Sequence, residues 1–233
     1  DKIAVRDYVR EKIGDKYLIR MLYRTKNPKD LVQEKLPKEP FIIKTNHASS
    51  QYKVVLDKGK VEWAEEQYKF QKWLKVDLYK ERREWQYGGI EPEIMVEELL
   101  ISNNGGVPND YKFHCFNGVV KFIQVDVGRG SLGHYRNYYF TDWSIAPFAW
   151  SSVFKDGKAT DPSSVVVAKP DCLNQMIELS EKLSSDFRYV RIDLYECYGQ
   201  VFFGEFTFHH DGGFRPILPV EYDFKLGAYL SLK

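Results

Sequence analysis

Val190-Arg191-Ile192-Asp193-Leu194-Tyr195-Glu196-Cys197-Tyr198-Gly199-Gln200-Val201-Phe202-Phe203-Gly204-Glu205-Phe206-Thr207 is the stretch on which the fold turns. It reads as two apolar strands, Val190–Glu196 and Val201–Thr207, joined by a tight turn at Tyr198-Gly199. Such a hairpin brings Asp193 near Glu205, with side chains expected on one face. Each carboxylate has apolar neighbours, and burying a carboxylate pair is costly unless a cation or donors neutralise it. Mg²⁺ is one answer, since it takes oxygen ligands and is completed by substrate phosphates. A structural ion pair with Arg191 or a lysine is the other, and the stretch alone leaves both open.

Upstream, Asp171–Leu183 has the spacing of a helix, and residues 155–164 form a polar loop. Tyr111–Phe116 and Val119–Val127 flank Asn117-Gly118, a strong hairpin signal, and Arg136–Phe140 reads as a further strand. Near the beginning, residues 1–13 are helical, and Pro28, Pro37 and Pro40 break residues 25–40 into loop and turns. Phe41-Ile42-Ile43-Lys44 is a short strand that runs into the small polar loop Thr45–Ser50, and Tyr52–Leu56 is its return. Residues 62–86 carry Trp63, Phe70, Trp73, Leu74 and Leu78 on one face, which predicts one amphipathic helix ending at Gly88-Gly89. Ile94–Leu100 is a strand. Hairpins with interspersed helices predict an α+β fold rather than a βαβ alternation.

The composition sets limits. The 233 residues are 43% apolar and 29% charged, which is globular. The formal net charge of +1 argues against a nucleic-acid surface. No apolar run approaches the ~20 residues of a membrane span, so no transmembrane segment is expected. Three cysteines at irregular spacing form neither a zinc framework nor a redox pair, and their odd number suits a reducing, cytoplasmic setting. The chain opens on Asp1-Lys2-Ile3 directly in a helical pattern, which reads as a trimmed start. Gly128-Arg129-Gly130-Ser131-Leu132-Gly133 matches G-x-G-x-x-G, but the strand-like residues after it lack the helix a dinucleotide site requires.

Two more pieces bear on chemistry. Lys44, at a strand end beside a small loop, suits a phosphate chain, although a solvated lysine is the commoner explanation of such a residue. Ile94-Met95-Val96-Glu97-Glu98-Leu99-Leu100 resembles a hinge that offers backbone groups to a base, or else an edge strand with a charged end.

Together and in this order the pieces resemble an ATP-grasp enzyme. Arg191-x-Asp193 followed by Glu205-x-Thr207 is similar to the Arg-x-Asp … Glu-x-Asn metal motif of carboxylate–amine ligases, with Thr207 in place of Asn. A closer resemblance is to the TupA-like ATP-grasp family. It is carried by Pro40–His47, by Pro108-Asn109-Asp110-Tyr111-Lys112-Phe113-His114-Cys115-Phe116-Asn117-Gly118, and by Gly204–Phe208 with Gly212-Gly213. Asp1–Gly14, Tyr222-Asp223 and Leu226-Gly227 extend it over nearly the whole chain. Ala48-Ser49-Ser50 departs from it, standing where Gly-Ser-Gly is expected.

The resemblance implies an ATP-grasp fold of mixed or antiparallel sheets, with a nucleotide cleft between two subdomains. Residues 1–40 would be an N-terminal helical segment, 41–100 the N-terminal subdomain and 101–233 the C-terminal subdomain. It implies ATP and Mg²⁺ as cofactors and a ligase that joins a carboxylate to an amine through an acylphosphate. Lys44 with His47, Ser49 and Ser50 would hold phosphates, Glu97, Glu98, Leu99 and Leu100 the base, Asp110 the ribose, and Lys112 the nucleotide. Asp193, Glu205 and Thr207 would hold the metal, and Arg191 would meet the charge developing on the acylphosphate. The acceptor would be a small molecule or saccharide, a uronic acid or amino-acid unit of a surface polysaccharide, with Arg129, His134, Arg136, Trp143 and His209 as candidate contacts. A glycosyltransferase and a non-catalytic nucleotide- or glycan-binding protein are the alternatives.

Overall fold

A computed structural model describes residues 1–102, 105–127, 135–151 and 162–231. The chain falls into two compact units, residues 1–11 with 18–100 and residues 12–17 with 101–233. Residues 1–40 are therefore not a segment apart. They begin with helix α1 (Val5–Ile13) and contribute strand β1 (Met21–Thr25), a strand the sequence analysis does not assign.

The first unit holds a four-stranded sheet in the order β1-β4-β2-β3, with β2 at Phe41–Thr45, β3 at Tyr52–Val55 and β4 at Ile94–Glu98. Every pairing in it is antiparallel. One face of the sheet, with Phe41, Ile43, Val55, Ile94 and Val96, packs against Leu31, Leu36 and Phe70. Phe70 comes from helix α2 (Trp63–Trp73), whose partner face is completed by Trp63 and Trp73. The single helix expected over 62–86 is instead α2 followed by α3 (Leu78–Arg82). The cause is Asp77, whose side chain accepts from the Lys80 N–H at 3.1 Å and starts a new helix there.

The second unit holds a five-stranded antiparallel sheet in the order β7-β6-β5-β8-β9. Its strands are β5 (Asp110–Phe116), β6 (Val119–Val127), β7 (Tyr135–Tyr139), β8 (Tyr189–Cys197) and β9 (Gln200–Thr207). Both tight hairpins have two-residue turns with positive φ throughout, at Asn117-Gly118 and Tyr198-Gly199, the geometry that matches strand twist. Helix α4 (Leu173–Ser184) buries Leu173, Met176, Leu179 and Leu183 and packs on β5, β6 and β8. Each such side chain contributes about 1.5–3 kcal/mol of burial. An aromatic cluster of Phe116, Phe122, Tyr138 and Phe148 is closed by Ile217 and by Leu226 of helix α5 (Glu221–Gly227).

Each hairpin of this sheet carries one bulge. Cys115 pairs with Val120 but His114 pairs with Phe122, so Lys121 is the extra residue. Leu194 pairs with Phe203 but Asp193 pairs with Glu205, so Gly204 is the extra residue. Because side chains alternate faces along a strand, one extra residue turns everything beyond it over. Without Gly204 in excess, the two-residue turn would set Asp193 opposite residue 204 and Glu205 opposite Ile192, on the α4 side. The two bulges collect Asp110, Lys112 and His114 of β5, Gln124 and Asp126 of β6, Arg136 of β7, Arg191 and Asp193 of β8 and Glu205 and Thr207 of β9 onto one face.

Candidate active site

The polar face of the five-stranded sheet is a buried ion network. Lys112 lies at its centre, 3% exposed as a residue, with its ammonium bonded to Asp110 and, at 2.8 Å, to Asp193 Oδ2. Asp126 Oδ2 is 3.8 Å from the same nitrogen. Asp126 also accepts from Gln124 Nε2 at 2.9 Å and lies 3.3 Å from Arg136 Nε. On the other side of Asp193, Arg191 forms a fork, with Nε on Oδ1 at 2.6 Å and Nη2 on Oδ2 at 2.7 Å. Nη2 is 3.7 Å from Glu205 Oε1, and Nη1 meets His210 Nδ1 at 2.7 Å. An isolated buried ammonium or carboxylate would be expensive, and here each sign is present to neutralise the other.

Burial pulls the Lys112 ammonium toward its neutral form, but Asp110 and Asp193 outweigh that and hold its pKa above the usual value. Arg191 behaves alike: burial opposes its charge, the Asp193 carboxylate overcomes the penalty, and the net shift is upward. Burial would raise Asp193, but Arg191 and Lys112 hold it below the ordinary carboxylate range. His114 and His210 are both well below the usual imidazole value, through burial first and then the nearby cations, so both rings are neutral at pH 7. His114 stacks on Phe122 at 4.2 Å, with Nδ1 3.0 Å from Tyr189 Oη. Burial pushes the Cys115 thiol up to about 12, which removes it as a nucleophile at neutral pH.

Arg191, Asp193, Glu205, Thr207, Asp110 and Lys112 thus share one face, with Thr207 directly opposite Arg191. Lys112, expected on the nucleotide, and Asp110, expected on the ribose, are joined to each other as a buried ion pair, because a lysine this enclosed has to recruit acids. Sequence reasoning missed Gln124, Asp126 and His210 as members. Asp126 and Gln124 alternate with apolar residues on β6 as Asp193 does on β8, a signal that was there to use; His210 lies beyond the strand and had none.

The other nucleotide candidates lie in the first unit. Lys44 Nζ donates to Glu97 Oε2 at 2.8 Å, and Arg6 Nη1 donates to Glu97 Oε1 at 2.8 Å. Glu97 is buried by these partners, and Glu98 pairs with Arg20 at 3.3 Å. The strand expected to be an edge or a hinge is central, flanked by β1 and β2. The Glu98 and Leu99 N–H groups already donate to Arg20 O and Pro40 O, and Leu100 is half-buried. The loop after Lys44 is pinned by Asn46, which donates to Asp1 Oδ1 and Glu91 O and accepts from the Glu93 N–H at 2.7 Å. Lys2 Nζ donates to Ala48 O. His47 is buried, and burial chiefly lowers its pKa. Ser49 is half-buried and Ser50 exposed, with a φ of 62° at Ser50. Of the acceptor candidates, Arg136 belongs to the ion network and Trp143 stacks on Tyr139 at 4.4 Å. His209 is half-buried beside His210, while Arg129 and His134 lie outside the described residues, as does the 128–133 glycine motif.

The donor chemistry fits Mg²⁺. Asp193 and Glu205 stand side by side with the Thr207 hydroxyl two residues on, all hard oxygen ligands. Asp193 accepts three hydrogen bonds of the roughly four its oxygens can take, which leaves one lone-pair site on Oδ1. Glu205 is 41% exposed at its side chain. Among the described residues no group of three or more His, Cys, Asp or Glu is placed to hold a metal ion.

No curated protein matches the chain. Solved structures similar to it include D-alanine–D-alanine ligase from Bacillus anthracis, 16% identical with a TM-score of 0.48 over 89% of this chain and 56% of that one. The Helicobacter pylori D-alanine–D-alanine ligase is 14% identical with a TM-score of 0.47, over 89% and 50%. The ATP-grasp ligase PsnB, solved with a minimal precursor, is 11% identical with a TM-score of 0.44, over 88% and 51%. The chain spans about half the length of these structures. A model of one family, described as TupA-like ATPgrasp, matches residues 1–231, and the chain belongs to that ATP-grasp family.

Proposed function

We propose that the protein is an ATP-dependent ligase that joins a carboxylate to an amine. The observation that carries this is the face-to-face pair Asp193 and Glu205 with the Arg191 guanidinium beside both. In the proposed reaction a substrate carboxylate oxygen attacks the γ-phosphorus of ATP, the bond to the β-phosphate oxygen breaks, and ADP leaves. An amine then attacks the acyl carbon, loses a proton and expels phosphate, leaving an amide.

Charge neutralisation dominates phosphoryl transfer. Asp193, Glu205 and Thr207 would hold Mg²⁺, which when bound neutralises phosphate charge. Arg191 presents a fixed cation to the anion that forms. Lys112 serves as the counter-ion that keeps Asp110, Asp126 and Asp193 ionised and in place. Lys44 and the Thr45–Ser50 loop would bind phosphate, with Lys44 exchanging its Glu97 contact for the nucleotide. The acceptor is proposed to be a uronic acid or amino-acid unit of a surface polysaccharide, which rests on the family alone.

Magnesium and ATP at a hundredfold excess over Kd should add about 2.7 kcal/mol of stability, read as a raised Tm. A product-mass screen with ATP, Mg²⁺, uronic acids and amino acids should then show a new amide. Absence of any Tm shift at millimolar Mg-ATP would remove the nucleotide reading. A second reading, a nucleotide-binding protein without turnover, is favoured by the 2.8 Å Lys44–Glu97 pair, which occupies the expected phosphate lysine. It predicts ATP binding with no consumption in any acceptor mixture.

A further inference from the structure

We infer that His210 is a positioning residue that aims the Arg191 guanidinium, holding it as a neutral acceptor rather than as a counter-ion. The role assigned to Arg191 rests on the ligase reading; its dependence on His210 does not.

The geometry is specific. Arginine only donates, so the 2.7 Å contact between Arg191 Nη1 and His210 Nδ1 requires a lone pair on Nδ1. The ring proton is therefore on Nε2, and the imidazole is neutral. The ring cannot drift from this contact. It is 2% exposed, lies edge-on to Trp150 with centroids 4.4 Å apart, and edge-on to His114 at 5.3 Å. His210 opens the short 3-10 turn His210–Gly213 just after β9, so its backbone is anchored apart from Arg191.

Neutrality is the useful property. The groups facing this ring are Arg191 of β8, Lys112 and His114 of β5, Asp126 of β6 and Arg136 of β7. Asp110, Asp126, Asp193 and Glu205 already balance Lys112, Arg136 and Arg191 with one negative charge in excess. A further carboxylate at 210 would quench the Arg191 cation. An imidazole fixes the same nitrogen and leaves the charge available to an anionic substrate. The arrangement also has an acid limit. A proton on Nδ1 would set two N–H donors against each other and drive the guanidinium off His210.

The test uses the whole chain with ¹⁵N-labelled histidine and arginine, followed by NMR from pH 8 to pH 4.5, in wild type, His210→Asn and His210→Ala. The Asn amide oxygen can accept from Nη1, whereas Ala cannot. The expected result is an Nε2–H tautomer for His210, with the Arg191 Nε signal moving as His210 takes up a proton. At pH 7 that signal should stay near its wild-type position in His210→Asn, without the acid movement, and shift in His210→Ala. An Nδ1–H tautomer, or an Arg191 signal indifferent to His210→Ala, would overturn the inference. Phosphate release from ATP with Mg²⁺ gives the second readout. His210→Ala should lose on the order of 10–10² in kcat with nucleotide affinity kept, and His210→Asn should recover most of it. Equal losses in both variants, tracking Tm alone, would mean a merely structural residue and also overturn the inference. A wild type that neither binds nor consumes ATP would remove the ligase reading, while the NMR result still decides the Arg191–His210 relation.

Discussion

Arg191 and Lys44 are both cations bonded to a buried acid, yet they should fail differently. Arg191→Ala removes a charge aimed at the reaction and should lower kcat on the order of 10²–10³, with ATP binding nearly intact. Lys44→Ala should weaken ATP binding itself, and kinetics with nucleotide titration on both variants separates the two effects. If Arg191 served stability alone, Arg191→Ala would lower Tm with turnover per folded molecule unchanged. A second prediction concerns Ser50, which holds a φ of 62° where the family resemblance expects glycine. The left-handed region costs a side-chain-bearing residue roughly 1–2 kcal/mol, partly offset by the entropy glycine loses on folding. Ser50→Gly should therefore stabilise by about 0.5 kcal/mol, checked by chemical denaturation; a destabilised variant would show the loop gains from the serine. At this scale the sequence exposed Arg191, Asp193 and Glu205 because charges inside an apolar alternation stand out. It could not show that Lys112 is enclosed by three acids, since Asp110, Asp126 and Asp193 come from three strands.

Strand types and turns were legible because Asn117-Gly118 and Tyr198-Gly199 announce two-residue hairpins. The bulges were not, and they change the argument. Period-two counting through Gly199 places Asp193 and Glu205 on opposite faces; they share a face because Gly204 is an unmatched residue. Gly204 is tolerated there because a Cβ would lie 2.8 Å from the Tyr195 ring and 3.0 Å from Asp193 O. Gly204→Ala should thus cost about 1–3 kcal/mol through overpacking. It should also weaken Mg-ATP binding beyond what the stability loss explains, since the backbone that must move belongs to Asp193. Normal Mg-ATP affinity in a destabilised Gly204→Ala protein would show that the bulge does not govern the carboxylate pair. The break between α2 and α3 was hidden for a related reason: one capping aspartate, Asp77, overrides an apolar stripe that continues past it.

For the molecule as a whole, the buried network sets the pH range of stability. His114 and His210 are depressed in the fold, so below the unfolded value of about 6.5 the unfolded chain takes up protons first. Stability should fall from there toward acid by up to roughly 1.4 kcal/mol per pH unit for each histidine. Asp193 adds to the loss below about pH 3.9, as the pH descends through its depressed folded value. On the alkaline side Cys115, raised to about 12, disfavours the fold once free thiols ionise near pH 8.5, giving a plateau between about pH 7 and 8.5. Urea denaturation at half-unit intervals checks this, and a flat profile from pH 7 to pH 5 would mean that the two rings do not stay neutral. No helix among the described residues is long and apolar enough to cross a membrane.

Gly204 also makes the carboxylate pair depend on the exact length of β9. Deleting it with the turn register kept would close the β8–β9 ladder into unbroken pairs and leave Glu205 opposite Asp193 and Thr207 opposite Arg191. Retaining that register preserves the carboxylate pair; slipping by one residue from the far end of β9 destroys it. A change of length elsewhere in β9 that slipped the register by one would leave the hairpin paired but part the carboxylates, so turnover rather than Tm would reveal it.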